Sequence, residues 1–286
     1  MVRRRASRTP AIDSHSPRPV SLSVHEAPES LAIVAIIPAR FGSTRLPGKP
    51  LSDIHGKPMI QHVHERASRA RKIDRVLVAT DDDRIERAVR AFGGEALMTS
   101  RAHATGTDRL AEAAQRTDAS LVVNVQGDEP MLDPAGIDAV IEPMLADESL
   151  AMATLALPLS DPEELLSASV VKVVSDARGN ALYFSRSPLP HLRLDPPLGE
   201  RAMAEEAVRR GIASKHVGLY VYRRETLLRL ATLPRSPLED AEALEQLRAL
   251  YHGIRIRVVP FAGRSGVAVD TAEDLERVRA LMKERV

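Results

Sequence analysis

The chain has 286 residues, 44% of them apolar, enough to bury the core of one large α/β domain or of a domain with an inserted lobe. Its 40 Lys and Arg against 39 Asp and Glu leave a net charge of +1, and four Phe, four Tyr and no Trp offer few stacking platforms, so nucleic acid is excluded as a main partner. No cysteine occurs, which excludes disulfides and thiolate metal sites, and the longest apolar run, around 33–37, is far too short for a membrane span: the reading is a soluble protein without a membrane partner.

Residues 1–30 are rich in Ser, Pro and Arg, lack apolar periodicity and read as a disordered tail. Arg3, Arg4 and Arg5 are not followed by an apolar stretch, which excludes a secretory signal on composition. From residue 33 onward short apolar runs alternate with helical spacing. Strands are predicted at 33–37, 75–79, 121–125, 152–157 and 254–259, and helices at 59–70, 84–92, 107–114 and 137–145. Such alternation predicts an α/β fold with a doubly wound, Rossmann-like mixed sheet. The β-rich runs at 171–174, 181–184 and 217–222, with the Pro-rich stretch 187–199 among them, predict a smaller β lobe inserted at about 171–225. Amphipathic helices at 238–250 and 272–283 close the chain.

The stretch ARFGSTRLPGKP, residues 39–50, has the contents of a phosphate-binding P-loop but not its grammar. Five residues separate Gly42 from Gly48, and Pro50 follows Lys49, removing the metal-binding hydroxyl and keeping Lys49 out of a helix. The loop must therefore work while extended. Arg40, Arg45 and Lys49 supply three cations, Gly42 and Gly48 allow close backbone approach, and Ser43 and Thr44 add donors, all suited to a polyphosphate. The plainer alternative is a solvated connector carrying surface charges.

In open α/β sheets ligands bind beyond the carboxyl ends of the strands. Arg40, Thr80 with Asp81, and Gln126 to Glu129 each follow a predicted strand, and Asp270 follows the short run 266–269. Cations and carboxylates thus gather on one rim, as divalent metal and triphosphate require. Each acid also has a structural alternative. Asp270 precedes a capping box at Thr271 and Asp274, Asp128 can cap a turn, Glu239 completes a capping box with Ser236, and Asp81 to Asp83 read as solvated helix-start charges.

Beyond these residues, "IIPARFGSTRLPGKPL", "VNVQGDEPM", "VKVVSDARGNALYFSRSPLP", "SPLEDAEALEQLR" and "VDTAEDLERVR" stand in one order along the chain. With them the sequence resembles the CMP-KDO synthetases, 3-deoxy-manno-octulosonate cytidylyltransferases, from about residue 33 to 279. The resemblance implies a nucleotidyltransferase domain over 31–286, with the middle lobe serving sugar binding and a homodimer. It implies transfer of CMP from CTP to the anomeric hydroxyl of KDO, with release of pyrophosphate, for lipopolysaccharide synthesis in the cytoplasm. A related keto sugar acid, such as amino-KDO or a sialic-acid-like sugar, is the alternative acceptor. By the same resemblance Arg40, Ser43, Arg45 and Lys49 serve the triphosphate and Asp128 and Asp270 hold Mg²⁺. Gly42, Thr80, Thr105 and Gly106 fall to the nucleotide, Arg109 to the sugar, and Arg40, Lys49, Asp128 and Asp270 carry catalysis. Where the family shows Ser-Gly-Thr-Glu-Arg this chain has Thr105 to Arg109 as TGTDR, and its usual Pro-Gly-x-Gly turn before Asp270 is replaced.

A sugar acid presents one carboxylate and several hydroxyls, so its site needs a cation and fixed polar groups. Arg186 and His216 are candidates, with Gln126 and Tyr220 beside them. Glu239, Glu242 and Gln246, at i, i+3 and i+7, would share one face of the helix predicted at 238–250. The alternatives are a surface arginine, a satisfied core histidine and a solvated helix face.

Overall fold

The run IVAIIPA forms the first strand, β1 (Ile33–Ala39), and six of its seven residues are buried, because both faces of the sheet it enters are covered. The computed structural model describes residues 32–42, 45–103, 105–197, 199–263 and 266–283; the tail predicted at 1–30, and Ser43, lie outside them. After β1 a loop and a 3₁₀ turn (Lys49–Leu51) lead to the small hairpin of β2 (Asp53–Ile54) and β3 (Lys57–Pro58), then α1 (Met59–Ala67). The alternation continues through β4 (Arg75–Thr80), α2 (Asp83–Ala91), β5 (Glu95–Met98), α3 (Gly106–Gln115), β6 (Leu121–Asn124) and α4 (Pro134–Ala146). Next come β7 (Met152–Pro158), α5 (Pro162–Leu166), β8 (Lys172–Ser175), β9 (Ala181–Ser185), α6 (Glu200–Arg209) and β10 (Ser214–Arg223). The described chain ends with α7 (Arg224–Thr232), α8 (Pro237–Glu242), α9 (Gln246–Tyr251), β11 (Ile256–Pro260) and α10 (Ala272–Lys283).

Nine strands join in one mixed sheet with the path β11-β7-β10-β6-β1-β4-β5. Strand β1 lies parallel to β4 on one side and to β6 on the other, so the winding reverses there and a crevice opens beyond their carboxyl ends. Side chains alternate across the sheet. Ile33, Ala35 and Ile37 enter one apolar cluster with Val63, Ile137 and Ile141, while Val34 and Ile36 enter the opposite one with Leu110, Leu227 and Leu247. Among the described residues no helix is long and apolar enough to cross a membrane.

The middle of the chain departs from the expected boundaries. Runs 171–174 and 181–184 give the β8–β9 hairpin, off the main path, whose Val173 and Phe184 join the same apolar cluster as Val34 and Ile36. The run 217–222 belongs to the main sheet instead: β10 pairs antiparallel with both β6 and β7, and only its first two residues, Ser214 and Lys215, also reach β8. A β-rich run has the same composition whichever sheet recruits it, which is why its partner was not readable. The helix predicted at 238–250 is two helices, because Ala243 adopts a left-handed conformation (φ 52°) that ends α8.

Candidate active site

The loop after β1 is held closed by its own backbone. Gly48 donates to the Phe41 carbonyl at 3.0 Å and has φ 71°, and a Cβ there would stand 3.0 Å from the Phe41 ring, so the position takes glycine. Contrary to the expectation of an extended loop with Lys49 outside any helix, Lys49 opens a 3₁₀ turn with Pro50 inside it, and the turn carries its ammonium to two acids: Nζ lies 2.8 Å from Asp128 Oδ2 and 3.2 Å from Asp270 Oδ1. Arg45 reaches the same Asp270 oxygen at 3.2 Å.

The two acids are 142 positions apart, and the backbone joins them: Val269 N–H donates to the Asp128 carbonyl at 2.9 Å. Gly127, just before Asp128, sits so close to β1 that a Cβ would be 2.8 Å from the Pro38 carbonyl. The helix-start role considered for Asp270 falls to its neighbours. Asp274 Oδ2 accepts from the Asp270 and Thr271 N–H groups, and Asp274 N–H donates to the Thr271 hydroxyl, so the Asp270 carboxylate is left to the rim.

Helix α3 begins at the same rim. Thr105 and Asp108 form a reciprocal capping box, placing the N–H end of the helix beside the cationic loop. Arg109, almost fully buried, donates to Asp81 at 2.6 Å and to the Thr99 hydroxyl, so this part of the wall is fixed before any ligand arrives. Neighbouring Asp82 caps α2 and is held down at about 2, chiefly by its hydrogen bond to Arg84.

Across from the loop, the wall is made by the end of β6, by β10 and by the α8–α9 junction. Asn124 Oδ1 and Gln246 Nε2 are buried there without a hydrogen-bond partner among the described residues. Burial pushes the Tyr220 and Tyr222 hydroxyls well above the usual phenol range, so both stay protonated donors. Glu129, behind Asp128, is pushed up to about 7 by burial and then by the Asp128 charge.

These surfaces enclose one cavity of about 480 Å³. Arg40, Arg45, Lys49, Asp128 and Asp270 line its phosphate-like side, Thr105, Gly106 and Arg109 its α3 side, and Gln126, Tyr220 and Gln246 the side opposite. Other expected residues stand outside the lining. Gly42 is exposed on the loop, and Thr80 is wholly buried, its carbonyl accepting from Thr99 and its hydroxyl from the Asp82 N–H. Arg186 gives its guanidinium to the Glu242 and Ala168 carbonyls at 2.7 and 3.0 Å. His216 packs between Phe184 and Tyr220, pairs with the Thr154 hydroxyl at 2.9 Å and is pushed down to about 3 by burial, so it is a neutral packing group.

The shared helix face expected for Glu239, Glu242 and Gln246 does not exist, because the break at Ala243 puts Gln246 on α9, apart from the two glutamates on α8. Glu239 is buried in a two-point ion pair with Arg248 at 2.6 and 2.8 Å, Glu242 accepts from the Ser185 hydroxyl and the Arg186 N–H, and Gln246 alone meets the cavity. Asn124, Tyr222 and Glu245 line the cavity and were not foreseen. For Asn124 a signal existed: an amide at the end of an otherwise apolar strand, beside the winding reversal.

A cytidylyltransferase family model matches residues 34–256. The 3-deoxy-manno-octulosonate cytidylyltransferase of Geobacter sulfurreducens is 55% identical, over 88% of this chain and 99% of its own length. The chain belongs to this family. The enzyme of the same name from Solibacter usitatus is 48% identical over 88% of this chain and 94% of its own. A solved CMP:2-keto-3-deoxy-manno-octonic acid synthetase complexed with CTP superposes with TM-score 0.80 at 46% identity, covering 89% of this chain and 100% of that one. A nucleotidyl transferase from Methanothermobacter thermautotroptrophicus, 14% identical with TM-score 0.57 over 89% and 99% of the two chains, shares the fold alone.

Proposed function

We propose that this protein transfers CMP from CTP to the anomeric hydroxyl of KDO, yielding CMP-KDO for lipopolysaccharide synthesis and releasing pyrophosphate, in the cytoplasm. The observation that carries the reading is one cavity with two unlike halves: cations on a closed loop facing a helix N-terminus, and opposite them amide and phenol groups suited to a polyhydroxylated acid. The hydroxyl oxygen gives up its proton to solvent and forms a bond to the α-phosphorus, the bond to the pyrophosphate oxygen breaks, and negative charge gathers on the departing group. Lys49, Arg45 and Arg40 stabilise that charge, with Lys49 exchanging its carboxylate partners for phosphate oxygens. Asp128 and Asp270 are the residues to hold Mg²⁺. Their carboxylates already converge on one ammonium, and among the described residues no larger cluster of acids and histidines surrounds them, which suits an ion that takes its other ligands from phosphate and water. When bound, Mg²⁺ neutralises phosphate charge.

A homodimer through the middle β region is part of the proposal. It is supported by the free edge of β9, which pairs only with β8 among the described residues, and by Leu182 on that strand, 63% exposed. Pyrophosphate release measured across four NTPs and a panel of keto acids tests the activity. CTP with KDO is expected to be fastest; a faster amino-substituted KDO moves the reading to that acceptor, and no release with any keto acid rejects it.

A further inference from the structure

Thr107, the second residue of α3, is buried, and its hydroxyl donates to Glu245 Oε2 across 138 positions of sequence. Glu245 stands immediately before α9, beside Gln246; it is exposed, it lines the cavity, and its Oε1 has no hydrogen-bond partner among the described residues. The platform under Thr107 is rigid. Thr105 and Asp108 lock the first turn of α3 through their capping box, and Arg109 is tied to Asp81 and Thr99. One oxygen of an otherwise solvated carboxylate is therefore fixed to the helix whose N-terminus borders the phosphate side, and the other is left to the cavity.

We propose that Thr107 is a positioning residue: it holds Glu245 in the orientation in which the free oxygen accepts a hydroxyl of the sugar acid, and so links the nucleotide side of the cavity to the sugar side. The inference rests on the activity proposed above. An exposed glutamate without an anchor samples several rotamers, and each sugar molecule that binds must then order it, whereas an anchored one is ready. The expected signature is a rise in KM for KDO, with chemistry untouched, because the Thr107 hydroxyl, though its residue lines the cavity, is spent on Glu245.

Thr107→Val keeps the shape and removes the hydroxyl. It is expected to raise the KM for KDO about tenfold, the scale of one hydrogen bond to a charged group, and to leave kcat and the KM for CTP within about twofold. Thr107→Ser restores the donor and is expected to return the KM for KDO to near the wild-type value. The thermal midpoint of both variants reports on folding. An unchanged KM for KDO in Thr107→Val overturns the proposal, as does a parallel rise for both substrates or a failure of serine to rescue. Wild-type protein that shows no turnover with KDO instead defeats the activity itself, a separate result.

Discussion

On the phosphate side of the cavity, Lys49 and Arg45 meet Asp128 and Asp270 at 2.8 and 3.2 Å, so that opposite charges already satisfy one another. On the proposed sugar side, Asn124 Oδ1 and Gln246 Nε2 are buried with no hydrogen-bond partner among the described residues. The same cavity thus binds by two different logics. On the proposed reading, a triphosphate reaching the first side must compete for cations that have partners, and more charge is what lets it do so. A hydroxylated acid reaching the second side supplies partners where there were none, and the cost of each buried, unmet polar atom, about 1–3 kcal/mol, is removed when it binds. Charge makes the first side effective in turnover. Unmet polarity makes the second side selective.

The strongest test of this contrast is on the phosphate side. Asp128→Asn and Asp270→Asn each keep the shape and remove a charge, and each is expected to lower turnover by at least ~10²-fold, the scale of a lost electrostatic contact to a transition state. Because the two acids share one cation in the structure, the double variant should be scarcely slower than the worse single variant. Single-turnover assays over a Mg²⁺ titration measure this. If Asp270→Asn retains wild-type activity and metal dependence, Asp270 only balances the charges of Lys49 and Arg45 and the two acids do not act together.

A smaller effect, with an unusual sign, is expected on the other side. Gln246→Leu replaces a buried donor that has no partner by an apolar group of similar size, so it should leave the unfolding midpoint unchanged or raise it. The same change should raise the KM for KDO by about tenfold, with the KM for CTP within about twofold. A thermal scan with steady-state kinetics separates the two readouts. A fall in stability without a change in KM would mean that Gln246 supports the fold, and the contrast between the two sides would be lost.

The sequence made the phosphate side largely readable, because most of its residues lie in loops that follow strands, where the fold places ligands; Asp270 reaches the rim otherwise, since residues 266–269 form no strand and β11 ends at Pro260. Lys49 and Asp128 needed only the alternation of strands and helices to be brought together. The sugar side depended on events with no local signal. An alanine in the left-handed conformation at position 243 splits the stretch 238–250, and this one backbone choice puts Gln246 on a second helix at the cavity, while Glu239 and Glu242 on the first pair with Arg248 and Ser185. Arg248, three residues beyond Glu245, is a buried cation whose partner lies nine positions back, and no periodicity argument pairs them across a broken helix. Likewise β10 could have joined the hairpin or the main sheet. Its double pairing with β6 and β7 is a tertiary outcome, and it is what puts Tyr220 and Tyr222 on the cavity wall.

His216 provides the gentlest probe of the sugar side, because it stands behind Tyr220 and can be titrated without touching the cavity. Burial pushes it down to about 3 from an ordinary value of 6.5, and its Nε2 is paired with the Thr154 hydroxyl, which also lies 2.9 Å from the Leu219 carbonyl. Between those two pH values the unfolded chain binds a proton on this residue and the folded protein does not. The contribution to stability is therefore fully present above about pH 6.5 and is lost as pH falls toward 3, with a slope approaching about 1.4 kcal/mol per pH unit. Asp82 and Glu206, both held near 2 by arginine partners, lose their contributions in the same direction but only below the ordinary carboxylate range, whereas Glu129, pushed up to about 7, binds a proton in the folded protein between pH 7 and 5 and offsets the histidine loss there, so only comparison with a variant isolates His216. His64 is lowered by burial as well, and comparison with a variant removes its share. His216→Gln cannot titrate and keeps a polar group for Thr154. Urea unfolding at pH 7 and pH 5 is expected to show wild-type protein losing roughly 2 kcal/mol more than the variant. Equal losses in the two proteins would show that His216 takes up its proton in the folded state, and Tyr220 would then be packed against a charge instead of a neutral ring.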